Sequence, residues 1–501
     1  MKLYTAGEMS SADAGAQERG IPGGVLMERA GAQMASLALE RFAPRRALIV
    51  SGGGNNGGDG FVIARELHRS GVEVAVLATK GEYEGDPATN LEALRNLDVR
   101  LISAEDLDSE LVAADLVVDA LLGTGFSGEV REKEAGIIAK MNSASVPVLA
   151  VDVPSGVEGA TGEVQGVAMF ADLTVCAHAV KVGCVISPGR EHSGEVVAVD
   201  IGIPQEADVE PSLLWTDAAS LRDKMPRTSE PAHKYSAGAL LVVAGSRATT
   251  GAPVMVVHGA QRTGCGIVFL ATSEGAAPAV DLALTEALVY GVAEDEEGFM
   301  GSGALEEILE HAGRASALVM GPGTGTGDDG RRLVEGILGE VGVPVLLDAD
   351  AITNLAGTDI IGGRNSPTLV TPHAGELGRL LGSGAKEVSA RRLDSARTAA
   401  RQNNCCVLLK GSDTLVVQGD KAAVNSTGDV ALATAGTGDV LSGVIGALLS
   451  RGMDTYEAAR AGGWAHGRSA ELWLEETGWP AESMVATDLL EYLPQAVGEL
   501  L

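Results

Sequence analysis

Aromatic residues make up only 3% of this 501-residue chain, so its cores must be built mostly from Val, Leu, Ile and Ala. Cations are also scarce: 37 Lys and Arg stand against 68 Asp and Glu, a formal charge of −31. That balance argues against nucleic acid as a partner, because neutralising phosphates needs basic patches. It also disfavours anionic membrane surfaces. A nucleotide ligand must then be held by local N–H groups and a few cations against an unfavourable overall field. Cysteines number five; the count is odd, no CxxC occurs, and Cys176, Cys184, Cys265, Cys405 and Cys406 sit mostly in apolar segments. Buried reduced thiols in a cytosolic protein fit this pattern best. The eight His are scattered without an HExxH, so no zinc site is expected. No apolar run is long enough to span a bilayer, and the opening Met1-Lys-Leu-Tyr-Thr5 lacks a signal-like apolar stretch. A cytoplasmic location without membrane attachment is expected.

Glycine, by contrast, is abundant at 67 residues, as an α/β protein with many tight strand–helix turns requires. The length exceeds one ordinary core, so two domains are expected. Residues 1 to about 45 read as helical, with Met27, Met34, Leu37, Leu39 and Phe42 on an apolar face. Strand and helix signals then alternate: strands at Leu48–Ser51, Val72–Ala78, Leu116–Ala120, Val146–Val153, Leu173–Ala177 and Val196–Ile201, helices at Gly60–Arg69 and Asn90–Leu97. Continuous apolar runs joined through helices indicate a parallel sheet covered on both faces. The first half therefore reads as a Rossmann-like doubly wound domain over residues 1–215. Pro204, Pro211 and acidic residues interrupt the pattern near Ile203–Asp223. A second domain, residues 222–501, repeats the alternation with strands at Ala239–Ala244, Ile267–Ala271, Ala317–Met320, Pro344–Leu347, Thr368–Val370 and Cys406–Leu409. Its helices include Ser442–Ser450 and Thr455–Leu472.

Each half carries a glycine-rich segment with an acid beside its glycines. The first, Ser51 to Gly60, holds Asn55, Asn56, Gly57, Gly58 and Asp59; it is neither a GxGxxG fingerprint nor a GxxxxGK[ST] loop. Glycines permit close backbone approach, and the following helix offers free N–H groups at its positive end. Two later strand ends supply matching polar groups: Asp119 before Leu-Leu-Gly-Thr-Gly-Phe-Ser-Gly128, and Asp152 with Ser155 in Val-Asp-Val-Pro-Ser155. Ligands of open parallel sheets bind at the carboxyl ends of strands, where these three segments can converge. Taken singly, Asp119 or Asp152 also suits a helix cap. The GNNGGDG, VDALLGTGFSG and AVDVPSG segments, in this order, resemble the NAD(P)H-hydrate epimerases over roughly residues 1–215. The resemblance implies that Asn55, Asn56, Gly57, Gly58 and Asp59 bind the hydrated nicotinamide nucleotide, together with Gly123, Thr124, Gly125, Phe126, Ser127, Gly128, Glu129 and Asp152. It also implies a potassium ion on Asn56, Asp119 and Ser155, and makes Asp152 the candidate for acid–base work at C6.

The second segment, Gly436-Thr-Gly-Asp439, opens a helix with an acid after a glycine pair, an arrangement suited to an anion. Polar loops follow four further apolar strands: Gly321–Gly325, Asp348–Asp350, Thr371–Glu376 and Lys410–Thr414. One His after a strand is often a helix-start hydrogen bonder, Glu376 suits a first helical turn, and Asp348 or Asp350 also suits a cap. The HKYSAG, AGS, TGAP, GPGTG, TPHAGE, KGSDT and AGTGD motifs, in order over about residues 225–500, resemble the ribokinase-like superfamily. Within it they resemble the ADP- or ATP-dependent NAD(P)H-hydrate dehydratases more closely. The resemblance implies a ribokinase-like fold. It implies that Lys410, Gly411, Ser412, Asp413 and Thr414 hold the adenine nucleotide, with Asp429, Val430, Ala431, Leu432, Ala433, Thr434, Ala435, Gly436, Thr437 and Gly438. It further implies that Ala252, Gly323, His373 and Asp439 meet the hydrate, with Asp439 as base, Mg²⁺ bridging the phosphates, and ADP the expected donor.

The expected activity is repair of hydrated NADH and NADPH, by epimer exchange in one half and nucleotide-dependent dehydration in the other, in a chain expected to form a homo-oligomer. Two other readings stand beside it: a ribokinase-like kinase for a sugar or vitamin precursor with an accessory domain, and a first half serving only as a nucleotide-binding or interaction module.

Overall fold

The computed structural model describes residues 2–227 and 233–501. The chain divides into two compact units, Met1–Leu214 and Trp215–Leu501. In the first, seven strands form one sheet: β1 (Arg46–Ser51), β2 (Glu73–Ala78), β3 (Arg100–Ile102), β4 (Leu116–Ala120), β5 (Val148–Val151), β6 (Leu173–Ala177) and β7 (Glu195–Val199). Their order is β3-β2-β1-β4-β5-β6-β7, parallel throughout. An all-parallel sheet must be covered on both faces, and its strands therefore read as apolar runs. Ile49 of β1 joins the core under helices Ala6–Glu18, Gly23–Phe42, Asn55–Arg69 and Gly85–Arg95. Its neighbours Leu48 and Val50 join the opposite core, under Leu107–Ala113 and Glu132–Ser143. The strand order reverses between β1 and β4, so the segments leaving Ser51 and Ala120 open into one crevice.

The second unit contains β8 (Ala239–Val243), β9 (Ile267–Ser273), β10 (Leu288–Val292), β11 (Ala317–Met320), β12 (Val345–Leu347), β13 (Thr368–Val370), β14 (Cys406–Leu409), β15 (Leu415–Gln418) and β16 (Lys421–Asn425). They run β10-β9-β8-β11-β12-β13-β14-β15-β16; the first seven are parallel and the last two pairings, β14 with β15 and β15 with β16, are antiparallel. Here the order reverses between β8 and β11. Helices Gly251–Arg262 and Thr437–Ser450 cross so closely that a Cβ on Gly443 would lie 2.0 Å from the Val256 carbonyl oxygen. That contact lets the two helices pack backbone against backbone.

Several expectations are corrected. The first 45 residues are not helical throughout: Lys2–Tyr4 is a strand pairing with Val180–Lys181 and with Leu213 and Leu214, followed by two helices. The helix of the first glycine-rich segment starts at Asn55 rather than at Gly60, and the helix that Gly436–Asp439 was expected to open starts at Thr437. Glycine is normally avoided inside helices, but tight packing requires it here: a Cβ on Gly57 would lie 1.9 Å from the Gly52 carbonyl oxygen. All five cysteines are free and four are buried, while Cys265 is half-buried. No helix among the described residues is long and apolar enough to cross a membrane.

Two candidate active sites at the strand tips

The crevice of the first unit is a cavity of about 770 Å³. Asn55, Asn56 and Asp59 line it, as do Gly123, Thr124, Gly125, Phe126, Ser127, Glu129 and Asp152. The other expected contacts do not: Gly57 and Gly58 are buried in the helix, and Gly128 turns the chain with φ 82°. Asp152 follows β5 and takes φ 68°, a left-handed conformation uncommon outside glycine that Asp tolerates better than most. Its Oδ1 accepts from the Ala177 amide at 3.1 Å and lies 2.7 Å from Lys181 Nζ. Lys181 is fully buried, and its ammonium also donates to the carbonyls of Ala177 and Ala179. Burial opposes this charge, but Asp152 and the neighbouring thiols more than offset it, so the Lys181 pKa stands above its ordinary value.

Asp119 is the next-to-last residue of β4 and is fully buried. Its carboxylate accepts from the Ser155 hydroxyl at 2.6 Å, the Ser155 amide at 2.8 Å and the Leu121 amide at 3.3 Å. The Ser155 hydroxyl oxygen in turn accepts from the Leu122 amide, and the Asn56 side-chain amide donates to the Leu122 carbonyl. Thus Asn56, Asp119 and Ser155 do come together. Among the described residues no cationic side chain pairs with Asp119, and burial raises its pKa despite the Ser155 bonds. A hard oxygen set around an uncompensated buried carboxylate fits a monovalent cation.

Asp13, on the helix Ala6–Glu18, also lines the cavity and has no sequence motif to announce it. Burial, countered by Lys181 and reinforced by Asp152, pushes its carboxyl up to about 6. Burial, then Asp152 and Asp13, hold the Asp59 carboxyl well above the ordinary range. Lys181 was equally unmarked, though a lone lysine inside the apolar run from Ala179 to Val185 was a readable signal.

In the second unit Asp439 sits in the first turn of the helix Thr437–Ser450, whose N-cap Gly436 has φ 92°. The fully buried His466 anchors that turn through Nε2 to the Thr437 carbonyl at 2.9 Å; burial pushes its pKa down to about 4. The Asp439 carboxyl is pushed up to about 7 by burial and by Asp348, with Lys410 opposing. Asp348 is no helix cap. Its two oxygens take Lys410 Nζ and the Ser442 hydroxyl, both at 2.8 Å. Lys410 Nζ also lies 3.8 Å from Glu376, and a Cβ on Gly438 would lie 3.7 Å from it. Asp350 accepts from the Gly325 amide at 2.9 Å.

His373 fills the helix-start role: its Nδ1 accepts from the amides of Gly375 and Glu376, at 2.9 and 3.3 Å. Its side chain is nevertheless 55% exposed, which leaves a ring face open. Gly323 and Ala252 adjoin, since a Cβ on Gly323 would lie 3.5 Å from that of Ala252. Within Lys410–Thr414 the Asp413 carboxylate is buried against Arg392 Nε at 2.9 Å, and Thr414 Oγ1 donates to the Gly411 carbonyl. Ser412 adjoins Asp413 in that loop. Asp429 caps the turn Val430–Leu432 through the Ala431 amide; Ala433, Thr434 and Ala435 follow, and the Thr437 hydroxyl donates to the carbonyls of Leu432 and Thr434.

Residues 240–495 match the family model described as NAD(P)H-hydrate dehydratase, and residues 23–183 the one described as YjeF-related protein N-terminus. The chain is 37% identical to the bifunctional NAD(P)H-hydrate repair enzyme of Moorella thermoacetica, over 100% of this chain and 97% of the relative. It is 36% identical to that of Thermofilum pendens with the same coverage. The chain belongs to the bifunctional NAD(P)H-hydrate repair enzymes. Its likeness to solved structures agrees with this membership. ADP/ATP-dependent NAD(P)H-hydrate dehydratase from Bacillus subtilis, co-crystallised with ATP and Mg²⁺, is 28% identical with a TM-score of 0.50, over 58% of this chain and 99% of its own. A ribokinase-like superfamily protein of Enterococcus faecalis, 19% identical with a TM-score of 0.50 over 58% and 98%, shares the fold. In this repair enzyme the ribokinase-like unit is thus the second.

Proposed function

We propose that the chain restores hydrated NADH and NADPH, with epimer exchange in residues 1–215 and adenine-nucleotide-dependent dehydration in residues 222–501. The observation that carries the reading is the pair of acids at separate strand-tip sites: Asp152, ion-paired at the first cavity, and Asp439, at a helix start with its carboxyl at about 7. In the first site the C6 hydroxyl leaves one face of the ring and returns to the other, and Asp152 moves the proton this requires. Asn56, Asp119 and Ser155 would hold K⁺ beside the bound nucleotide, where its charge favours anionic groups. Asn55, Asp59 and the stretch Gly123–Glu129 orient the substrate.

In the second site Asp439 takes the proton of the C6 hydroxyl as that oxygen attacks the terminal phosphorus of ADP or ATP, breaking its bond to the bridging oxygen and releasing AMP or ADP. The phosphate then departs with the C6–O electron pair, C5 loses a proton, and the C5=C6 double bond returns. Ala252, Gly323 and His373 border the substrate; residues 410–414 and 429–438 cradle the nucleotide. Mg²⁺, held mainly by the nucleotide's phosphates and water, would neutralise charge on the transferring group. ADP is the donor expected here, and fusion is physically sensible because exchange feeds a stereospecific second step.

The test starts from hydrate prepared from NADH or NADPH. Protein is added with ADP or ATP, and the return of dihydronicotinamide absorbance is followed. Consumption of both epimers supports the proposal. Phosphorylation of a sugar or vitamin alcohol without such recovery favours the kinase reading instead.

A further inference from the structure

The wall of the first cavity is unbalanced in charge. Asp13, Asp59, Asp86, Glu129, Glu134 and Asp152 line it against two cations, Lys80 and Arg131. Yet a pyridine dinucleotide brings a diphosphate, and NADPH a further phosphate. The acids Asp13, Asp59 and Asp152 influence one another's charge beside Lys181, so they stand together on this wall. Neither Lys80 nor Arg131 pairs with a carboxylate among the described residues, although acids stand on the same wall.

Lys80 follows the tip of β2, and its stem crosses the glycine segment: a Cβ on Gly53 would lie 2.7 Å from Lys80 Cγ. The two cations are on tethered segments, because Lys133, two residues beyond Arg131, donates from Nζ to the Thr79 carbonyl at 2.9 Å. Arg131 is itself the residue before the helix Glu132–Ser143. Gly53 leads straight into the 15-residue helix Asn55–Arg69, whose free N–H groups open on the same cavity. Two unpaired cations beside a helix start form the one part of this wall that attracts phosphate.

We propose that Lys80 and Arg131 read the phosphates of the hydrated dinucleotide, which lies with its phosphates at these cations and its damaged ring at Asp152. The inference rests on the epimerase reading of the first unit. It assigns substrate polarity and affinity to two residues outside the glycine-rich and aspartate motifs.

The full chain is used, as wild type, K80A/R131A and the charge-keeping K80R/R131K. Both side chains are exposed, so folding is spared. Epimer exchange is followed without adenine nucleotide, and hydrate binding is titrated by calorimetry. The double alanine variant is expected to raise KM by about tenfold or more, as loss of charged hydrogen bonds implies. Its kcat should stay unchanged, the salt dependence of KM should flatten, and one of two binding equivalents should weaken. K80R/R131K is expected to retain wild-type KM. A rise confined to the NADPH hydrate assigns the pair to the 2′-phosphate, and an equal rise for both hydrates assigns it to the diphosphate. An unchanged KM and binding isotherm, or a fall in kcat alone, overturns the proposal. A wild type that binds hydrate but exchanges nothing refutes the epimerase reading, while the calorimetric comparison still decides the role of the cations.

Discussion

Asp152 and Lys181 form an ion pair, 2.7 Å from Oδ1 to Nζ, in which the lysine is fully buried and the carboxylate is 13% exposed to the cavity. Removing one member of such a pair strands the other charge, at a cost of ~3–5 kcal/mol, whereas replacing both by apolar groups is far milder. D152A and K181M are each expected to lower the melting temperature of the first unit markedly. D152A/K181M should recover much of that loss without recovering exchange. Thermal melts and exchange rates of the three variants check this; additive losses of stability in the double variant would sink it. Dehydration of the competent epimer should survive in all three.

Asp13 and Asp59 share the cavity, neither forms an ion pair among the described residues, and both carboxyls are raised, Asp13 to about 6. A carboxyl whose folded pKa exceeds its unfolded value stabilises the fold below the unfolded value; this contribution is lost as pH rises through the folded value. For Asp13 the window runs from about pH 4 to about 6. D13N is therefore expected to melt higher than wild type near pH 8 and no higher near pH 4. D59N keeps the shape but changes the polar group that orients the substrate, so exchange should weaken chiefly through a KM raised by about tenfold. A D13N melting difference independent of pH would show that ionisation of the buried Asp13 carboxyl is not what costs stability.

Asp439 must be ionised to accept a proton, and its carboxyl stands at about 7. Dehydration is therefore expected to fall as pH drops through about 7, while substrate binding changes little. D439N should lower dehydration by about 10²–10⁴-fold and leave epimer exchange intact. The pH–rate profile of the wild type, with exchange assayed in the same variant, checks both. Equal loss of the two activities in D439N would contradict independent sites.

Much of this was legible because parallel strands buried on both faces are written as short apolar runs. Leu116–Ala120, Leu173–Ala177, Thr368–Val370 and Cys406–Leu409 are marked to the residue. The acids at their tips could be read with them, since sheet topology alone gathers strand ends. The edge strand Leu288–Val292 was hidden because it is largely half-exposed and contains Gly291. The hairpin Leu415–Asn425 was hidden by its place directly after a polar loop. Asp13, Lys80 and Arg131 lie on segments with no motif, and their neighbours are set by packing between elements far apart in sequence. Lys181 was readable in principle, but its partner Asp152 is 29 positions earlier in the chain, and only the fold makes them a pair.

Asp119 gives the last prediction. Its carboxylate is fully buried, its bonds come from Ser155 and Leu121, and no side-chain cation compensates it among the described residues. Amide and hydroxyl donors lower the cost of that charge without neutralising it, so a bound cation is expected to stabilise the folded unit. A ligand that binds only the native state contributes about 2.7 kcal/mol at a hundredfold excess over its Kd. In a unit of this size that is a rise of several degrees in melting temperature, since 1 kcal/mol shifts Tm by ~2–4 °C. KCl should therefore raise the melting point of the first unit more than NaCl or choline chloride at equal ionic strength. The excess should vanish in D119N and shrink in S155A, which keeps the carboxylate but removes one oxygen. Identical melting in all three salts, or a potassium effect that persists in D119N, would show that no cation is held at this carboxylate.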